Sequence, residues 1–431
     1  MLMKTPVPDY LNHVLSQCNS NDQGQLADYI PELASADPNK LAIALATIDG
    51  TIYSIGDDDT EFTIQSMSKP FAYALALKHH GISAVLAKVG VEPSGEAFNQ
   101  ISLDAKHKLP KNPMINSGAI TTHSLIPVKK KVSRAEHLRR FLSELAGREL
   151  SFDEQVYQSE LDTAFRNLSI GYMLRTVGVL EEDPIDIVHG YIHQCAIKVT
   201  VKDLANMASV LANGGLQAKT GKRILERDVA RQVLSVMMTC GMYDAAGDWL
   251  TSVGIPAKSG VAGGIIGVLP GQVGLAVFSP KLDEHGNSAR GIEIMEQLSQ
   301  DMGLHLMEGT PSAQTIVQNR YQIGKRNAIV VYELRGVLQF TESEMLLRIL
   351  QDEPASKNTI ILDLTNISLI HNVGVKMLFE GVNRLKEDGH NVVVLDAEGI
   401  LTEEQCKGRK RIVVKQDLQE YLKKVLKKDP K

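Results

Sequence analysis

Apolar residues recur along this chain in two rhythms. Leu11, Val14 and Leu15 fall on one side of a helix over positions 8–19. Leu41-Ala42-Ile43-Ala44-Leu45-Ala46-Thr47-Ile48 and Thr51-Ile52-Tyr53-Ser54-Ile55-Gly56 are instead β-prone runs, and the intervening Asp49-Gly50 predicts a hairpin with a two-residue type I′ turn. Between the two, Pro31 is expected to bend or end a helix at Ile30. After the acidic loop Asp57-Asp58-Asp59-Thr60-Glu61 the pattern turns helical, through Phe71, Ala74, Leu75 and Lys78. Pro70 fits that helix only if it begins near Ser66, because the first turn has no backbone donors to lose. Asn112 to Ala119 reads as a turn entering a helix of small residues. Helical patterns follow over 134–146, 153–178, 184–195 and 201–213, the last stopped by Asn213-Gly214-Gly215. The run Val261 to Leu269, a Pro270-Gly271 turn and the run Val273 to Ser279 predict an antiparallel pair.

Strands early, helices in the middle and strands late predict a sheet assembled from distant segments with helices packed on it, an α/β chain of the α+β type. Beyond Leu306, the segment Met307 to Thr315 reads as a linker. Residues 328–338 then suggest a hairpin or paired strands, 359–364 a buried strand, 374–385 a helix, 391–396 another strand, and a charged helix closes the chain. The expected division is 1–306, a linker over 307–325, and a small α/β domain over 326–431.

Composition narrows the function classes. The 431 residues carry 43% hydrophobic and 23% charged positions, an ordinary globular balance. A net charge of -5 gives no general pull toward nucleic acid or a membrane surface. Four scattered cysteines form no disulfide framework or zinc motif, and no apolar run has signal or membrane-span length. A reduced, cytoplasmic setting is expected, with no metal and no cofactor.

Ser66-Met67-Ser68-Lys69 is the one place where Lys follows Ser at i+3, which puts the hydroxyl of Ser66 and the amine of Lys69 on one helix face. Serine needs a base to become a nucleophile, and an amine serves only where burial or a nearby cation keeps it neutral. At a helix start, free N–H groups would also favour an oxyanion at Ser66. Lys258-Ser259-Gly260, leading into a glycine-punctuated strand, adds a second element. The two in this order are the constellation of serine β-lactamases and penicillin-binding proteins. By pattern alone Tyr29, Asn116, Glu160, Asn167 and Tyr191 read as packing residues, caps or helix-surface polar residues.

Residues 8–305 closely resemble the serine-dependent glutaminase family, which shares the β-lactamase-like fold. The resemblance is carried by Asp28-Tyr29-Ile30-Pro31, Gln65 to Lys69, Asn112-Pro113-Met114-Ile115-Asn116, Tyr191 to Cys195, Gly241-Met242-Tyr243-Asp244 and Lys258 to Gly264. It implies Ser66 as nucleophile, Lys69 as general base, and Tyr243 as the residue that bonds the nucleophile and relays a proton to the leaving ammonia. It also implies the backbone N–H groups of Ser66 and Val261 as the oxyanion hole, and Tyr29, Asn116, Glu160, Asn167 and Tyr191 as the residues holding L-glutamine. The family commonly forms tetramers, so a homo-oligomer is implied. The alternatives are a β-lactamase-like hydrolase acting on another amide or ester, and a degenerate scaffold whose working part is the C-terminal domain.

That C-terminal segment resembles the STAS domain, through Leu362-Asp363-Leu364-Thr365-Asn366-Ile367 and Ile370-His371-Asn372-Val373-Gly374. Switching members carry an Asp-Ser-Ser-Gly turn with a phosphorylatable serine, and here Val373 occupies that position. The resemblance implies an interaction or regulatory module, acting on a protein partner or by self-association, without that switch.

Overall fold

The computed structural model describes residues 7–94, 103, 108–128, 132–307, 316–324, 329–338, 340–354, 357–407 and 412–426. It divides into two compact units, Met1–Glu308 and Gly309–Lys431.

The first unit is built on an antiparallel sheet of β1 (Ala42–Thr47), β2 (Ile52–Gly56), β3 (Ala257–Gly260), β4 (Gly264–Leu269) and β5 (Val273–Phe278), in the order β2-β1-β5-β4-β3. The central strand pairs therefore join segments more than 200 residues apart, Ala42 opposite Phe278 and Ala46 opposite Gly274. Side chains alternate along β1. Ile43 and Leu45 pack with Leu11, Val14, Met295 and Leu298 from the helices Val7–Cys18 and Ala289–Met302. Ala42, Ala44 and Ala46 face the other way, and their small size lets the helix Val201–Ala212 lie close on the sheet through Ala205 and Ala208. That second face continues into Phe71, Ala74 and Leu75 of the helix Lys69–His80, so the sheet and the segment carrying Ser66 share one core.

Several local expectations change. The β1–β2 loop has three residues, not two. Thr47 faces Thr51, a type I turn is closed by Gly50 N–H to Thr47 O, and Gly50 sits at φ +92°, where glycine avoids the Cβ clash. Pro31 does not end a helix. It opens the short helix Pro31–Ala34, at a position whose missing N–H leaves no gap. The stretch 153–178 is two helices, Glu154–Asp162 and Phe165–Thr176, broken at Thr163-Ala164. The run 261–269 is not one strand, since Val261 to Gly263 is the turn joining β3 to β4 and the Gly263 N–H closes onto Gly260 O at 2.9 Å.

The second unit has a sheet of β6 (Val317–Ile323), β7 (Ile329–Leu338), β8 (Thr359–Ile370), β9 (Asn391–Leu395) and β10 (Val413–Val414), in sequential order, with β6 antiparallel to β7 and the others parallel. Val330, Tyr332 and Leu334 of β7 face a core that includes Leu346, Leu350, Leu378 and Val382 from the helices Phe340–Gln351 and Asn372–Glu387. Ile329 and Val331 pack with Leu418 of the helix Leu418–Leu426. Residues 329–338 form one strand, its antiparallel partner β6 lies within the segment expected to be linker, and the helix Phe340–Gln351 was not expected. Among the described residues no helix is long and apolar enough to cross a membrane.

Candidate active site

The turn carrying Ser66 is tighter than an α-helix. Gln65 to Ser68 form a 3₁₀ turn, and the α-helix begins at Lys69 with Pro70 in its first turn. Gln65 enters this turn at φ +49°, a left-handed conformation uncommon outside glycine. The turn is anchored from behind by Phe62–Thr63, which pairs with Lys198–Val199, and by Ile64 N–H to Ile197 O at 2.8 Å. Ser66 retains 8% exposure and borders a cavity of about 240 Å³.

Tyr29, Asn116, Glu160, Asn167, Tyr191 and Val261 line the same cavity. Tyr29, 45% exposed, donates its hydroxyl to Glu160 Oε1 at 2.8 Å. Gln65 donates its side-chain amide to the same oxygen at 3.2 Å, and to Thr63 Oγ1 at 3.2 Å. Burial raises the Glu160 carboxyl above its ordinary range, and these two hydrogen bonds pull partly the other way. Asn116 Oδ1 takes Lys69 Nζ at 2.8 Å and the Tyr191 hydroxyl at 3.3 Å, while its Nδ2 donates to Asn167 Oδ1 at 3.0 Å.

Lys69 and Tyr243 stand behind this lining. Lys69 is fully buried, and its amine also donates to Met114 O at 3.1 Å. Burial pushes its pKa down to about 8, so a neutral amine is accessible near physiological pH. Tyr243 is held at φ +57°, and its hydroxyl reaches Ser259 O at 3.5 Å. Burial pushes that phenol up to about 12, opposed by a side-chain hydrogen bond with Ser66. The nine residues named from the sequence thus gather around one cavity and the serine beside it.

Four neighbours were given no role from the sequence. Lys258 is fully buried, with its amine 3.7 Å from the centroid of the Tyr243 ring and donating to Ser259 O at 2.8 Å. Burial, and then the charge of Lys69, hold it well below its ordinary pKa, so Lys258 is the first of the two buried amines to lose its proton. Gln65 joins the serine turn to Glu160. Cys195 and Arg166 line the cavity, the thiol pushed up to about 12 by burial. Lys258 and Gln65 could have been marked from their places inside Lys-Ser-Gly and beside Ser66. Cys195 closes the Tyr191 to Cys195 stretch, whereas Arg166 had no signal beyond adjacency to Asn167.

Comparison with known proteins gives the family. A glutaminase family profile matches residues 24–307. The chain is 50% identical over 402 residues to a glutaminase of Corynebacterium glutamicum, covering 93% of this chain and 96% of that protein. It is 45% identical over 304 residues to a glutaminase of Trichormus variabilis, covering 70% of this chain but 91% of that protein. Among solved structures, the crystal structure of Mglu superposes with a TM-score of 0.84 at 49% identity, covering 93% of this chain and all of the other. The probable glutaminase ybaS gives 0.69 at 38%, covering 72% of this chain and all of the other. Sequence similarity across nearly the whole chain and a shared fold lead to one assignment: this chain belongs to the glutaminase family.

Proposed function

We propose that the chain hydrolyses L-glutamine to L-glutamate and ammonia through a glutamyl ester on Ser66. The carrying observation is that Ser66 and Glu160 border one cavity, with Gln65 preceding the first in the chain and hydrogen-bonded to the second. Glu160 pairs the substrate ammonium, Asn116 and Asn167 offer amide donors to the α-carboxylate, and the Tyr191 hydroxyl turns its hydrogen from Asn116 Oδ1 to the same carboxylate. Tyr29 lines the cavity and holds Glu160 in place. Related structures include Mglu in its glutamate form, which supports an amino-acid ligand of this kind.

In the forward step Ser66 Oγ attacks the side-chain amide carbon and gives its proton to neutral Lys69. The tetrahedral oxyanion is taken by the backbone N–H groups of Ser66 and Val261. Collapse breaks the C–N bond, and Tyr243 relays the proton to the departing ammonia. Water then attacks the ester and returns Ser66. Asparagine, one methylene shorter, leaves its amide carbon short of Ser66 when its ammonium sits on Glu160. Ammonia release by the wild type and Ser66→Ala tests this: an active wild type and an inactive variant are expected, and an equally active variant contradicts the reading.

The second unit, in the same proposal, is a STAS-like interaction module whose Val373 cannot act as a phosphorylation switch. A cytoplasmic homo-oligomer, a tetramer in the family pattern, completes the proposal.

A further inference from the structure

Nothing in the proposed reaction uses His123, Gln194 or Ser68, yet each is 1% exposed or less. His123 Nδ1 stands 2.6 Å from Gln194 Oε1, Gln194 Nε2 is 3.1 Å from Ser68 Oγ, and Ser68 Oγ is 2.8 Å from the carbonyl oxygen of Gln65. The direction of this chain follows from its last link. A serine hydroxyl has one hydrogen, and the Gln65 carbonyl takes it. Ser68 Oγ must therefore accept from the Gln194 amide, which turns Gln194 Oε1 toward His123 and requires the hydrogen on His123 Nδ1. The imidazole is neutral, because burial pushes its pKa down to about 4. On its other side the ring fills the space above Gly190, where a Cβ would come within 2.4 Å of Nε2.

The chain of bonds ends on Gln65, whose backbone and side chain both serve the site. Gln65 precedes Ser66 in the left-handed conformation, and its amide holds Glu160. A residue in that conformation persists only where its surroundings over-determine it. His123 lies on the helix that begins with Asn116, and Gln194 on the helix that carries Tyr191. The three bonds thus tie the helices that carry Asn116 and Tyr191 to the turn that holds the serine.

We propose that His123, Gln194 and Ser68 are positioning residues that fix the Gln65 carbonyl, and through it the direction of Ser66 relative to Glu160. This rests on Ser66 being the nucleophile. Without the last link the Gln65 carbonyl keeps only the backbone bond of the 3₁₀ turn, and Ser66 Oγ shifts off its line of attack, while Tyr29 still holds Glu160 in the substrate site.

The test compares Ser68→Ala, Ser68→Thr, Gln194→Met and Ser66→Ala. The readouts are kcat and KM for glutamine, thermal midpoint, and glutamate-binding sites counted by calorimetry. Ser68→Ala is expected to lower kcat per binding site about ten- to a hundredfold with KM within about threefold. Ser68→Thr, which keeps the hydroxyl, recovers most of that loss. Gln194→Met lowers kcat less than Ser68→Ala does, because Ser68 can still donate to Gln65. A folded Ser68→Ala with kcat within twofold of wild type overturns the proposal. So does a loss of binding sites with kcat per site unchanged, the signature of a purely structural role. If Ser68→Ala does not fold, Gln194→Met carries the same comparison, a severalfold fall in kcat per site supporting the relay and an unchanged kcat overturning it. Activity surviving in Ser66→Ala would instead remove the nucleophile assignment underneath.

Discussion

Lys69 Nζ donates to Asn116 Oδ1 at 2.8 Å, and the same oxygen accepts the Tyr191 hydroxyl at 3.3 Å. Asn116 therefore joins the proposed base to the proposed substrate-binding residues. A neutral acceptor in that place orients the amine without fixing a proton on it, whereas a carboxylate would bind the proton tightly.

Asn116→Asp should expose this difference. In the wild type, kcat/KM is expected to rise about tenfold per pH unit as Lys69 loses its proton and to level off above about 8. An aspartate beside the amine favours the ammonium, so the midpoint of the variant should move upward by about one to three units. The midpoint is the readout, because the height of the curve also reflects altered binding through Asn167 and Tyr191. An unmoved midpoint would exclude Lys69 as the titrating base.

Glu160→Gln removes the carboxylate expected to pair the substrate ammonium while keeping the shape of the side chain. Loss of a charge-assisted hydrogen bond worth about 1.5–3 kcal/mol predicts a KM about ten- to a hundredfold higher, with kcat less affected. The wild-type KM should also rise as pH falls through a value above the ordinary carboxylate range, because burial raises the Glu160 pKa and the protonated form has no charge to offer. The variant should lack that acid limb. Steady-state kinetics across pH would show both effects, and an unchanged KM in Glu160→Gln would place the ammonium elsewhere.

Much of the first unit could be read from periodicity because its elements are regular. The helices Arg134–Ala146 and Pro184–Cys195 match their apolar patterns, and β1 and β5 are continuous apolar runs. The misreadings lie where one residue has two possible uses. Pro31 can end one helix or begin another, Asp49-Gly50 fits a two-residue turn or the end of a three-residue one, and Val261 looks like strand although its neighbours make it a turn. The break at Thr163-Ala164 has no proline or glycine to announce it. The site was legible only through motif order. Tyr29, Glu160 and Tyr243 are separated by more than 80 residues from one another, and periodicity says nothing about which loops converge. The His123 relay is made of buried polar groups on elements that look ordinary, and only their partners reveal it, whereas Lys258 was visible inside Lys-Ser-Gly but its place over the Tyr243 ring was not.

Truncation tests the division of labour between the two units. The glutaminase of Trichormus variabilis matches 304 residues of this chain, and that match spans 91% of its own length. A chain ending at Glu308 should therefore keep kcat for glutamine within about threefold, since the cavity and its supporting bonds lie entirely within the first unit. Loss of all turnover in a folded truncation would make the second unit part of the catalytic machinery rather than an interaction module.

The most direct test of the covalent mechanism is acid-quench mass spectrometry during glutamine turnover, with the modified peptide sequenced. The mechanism predicts one glutamyl group esterified to Ser66 in the wild type and none in Ser66→Ala, which should also release no ammonia. A glutamyl group on another residue, or turnover by Ser66→Ala at the wild-type rate, would contradict it.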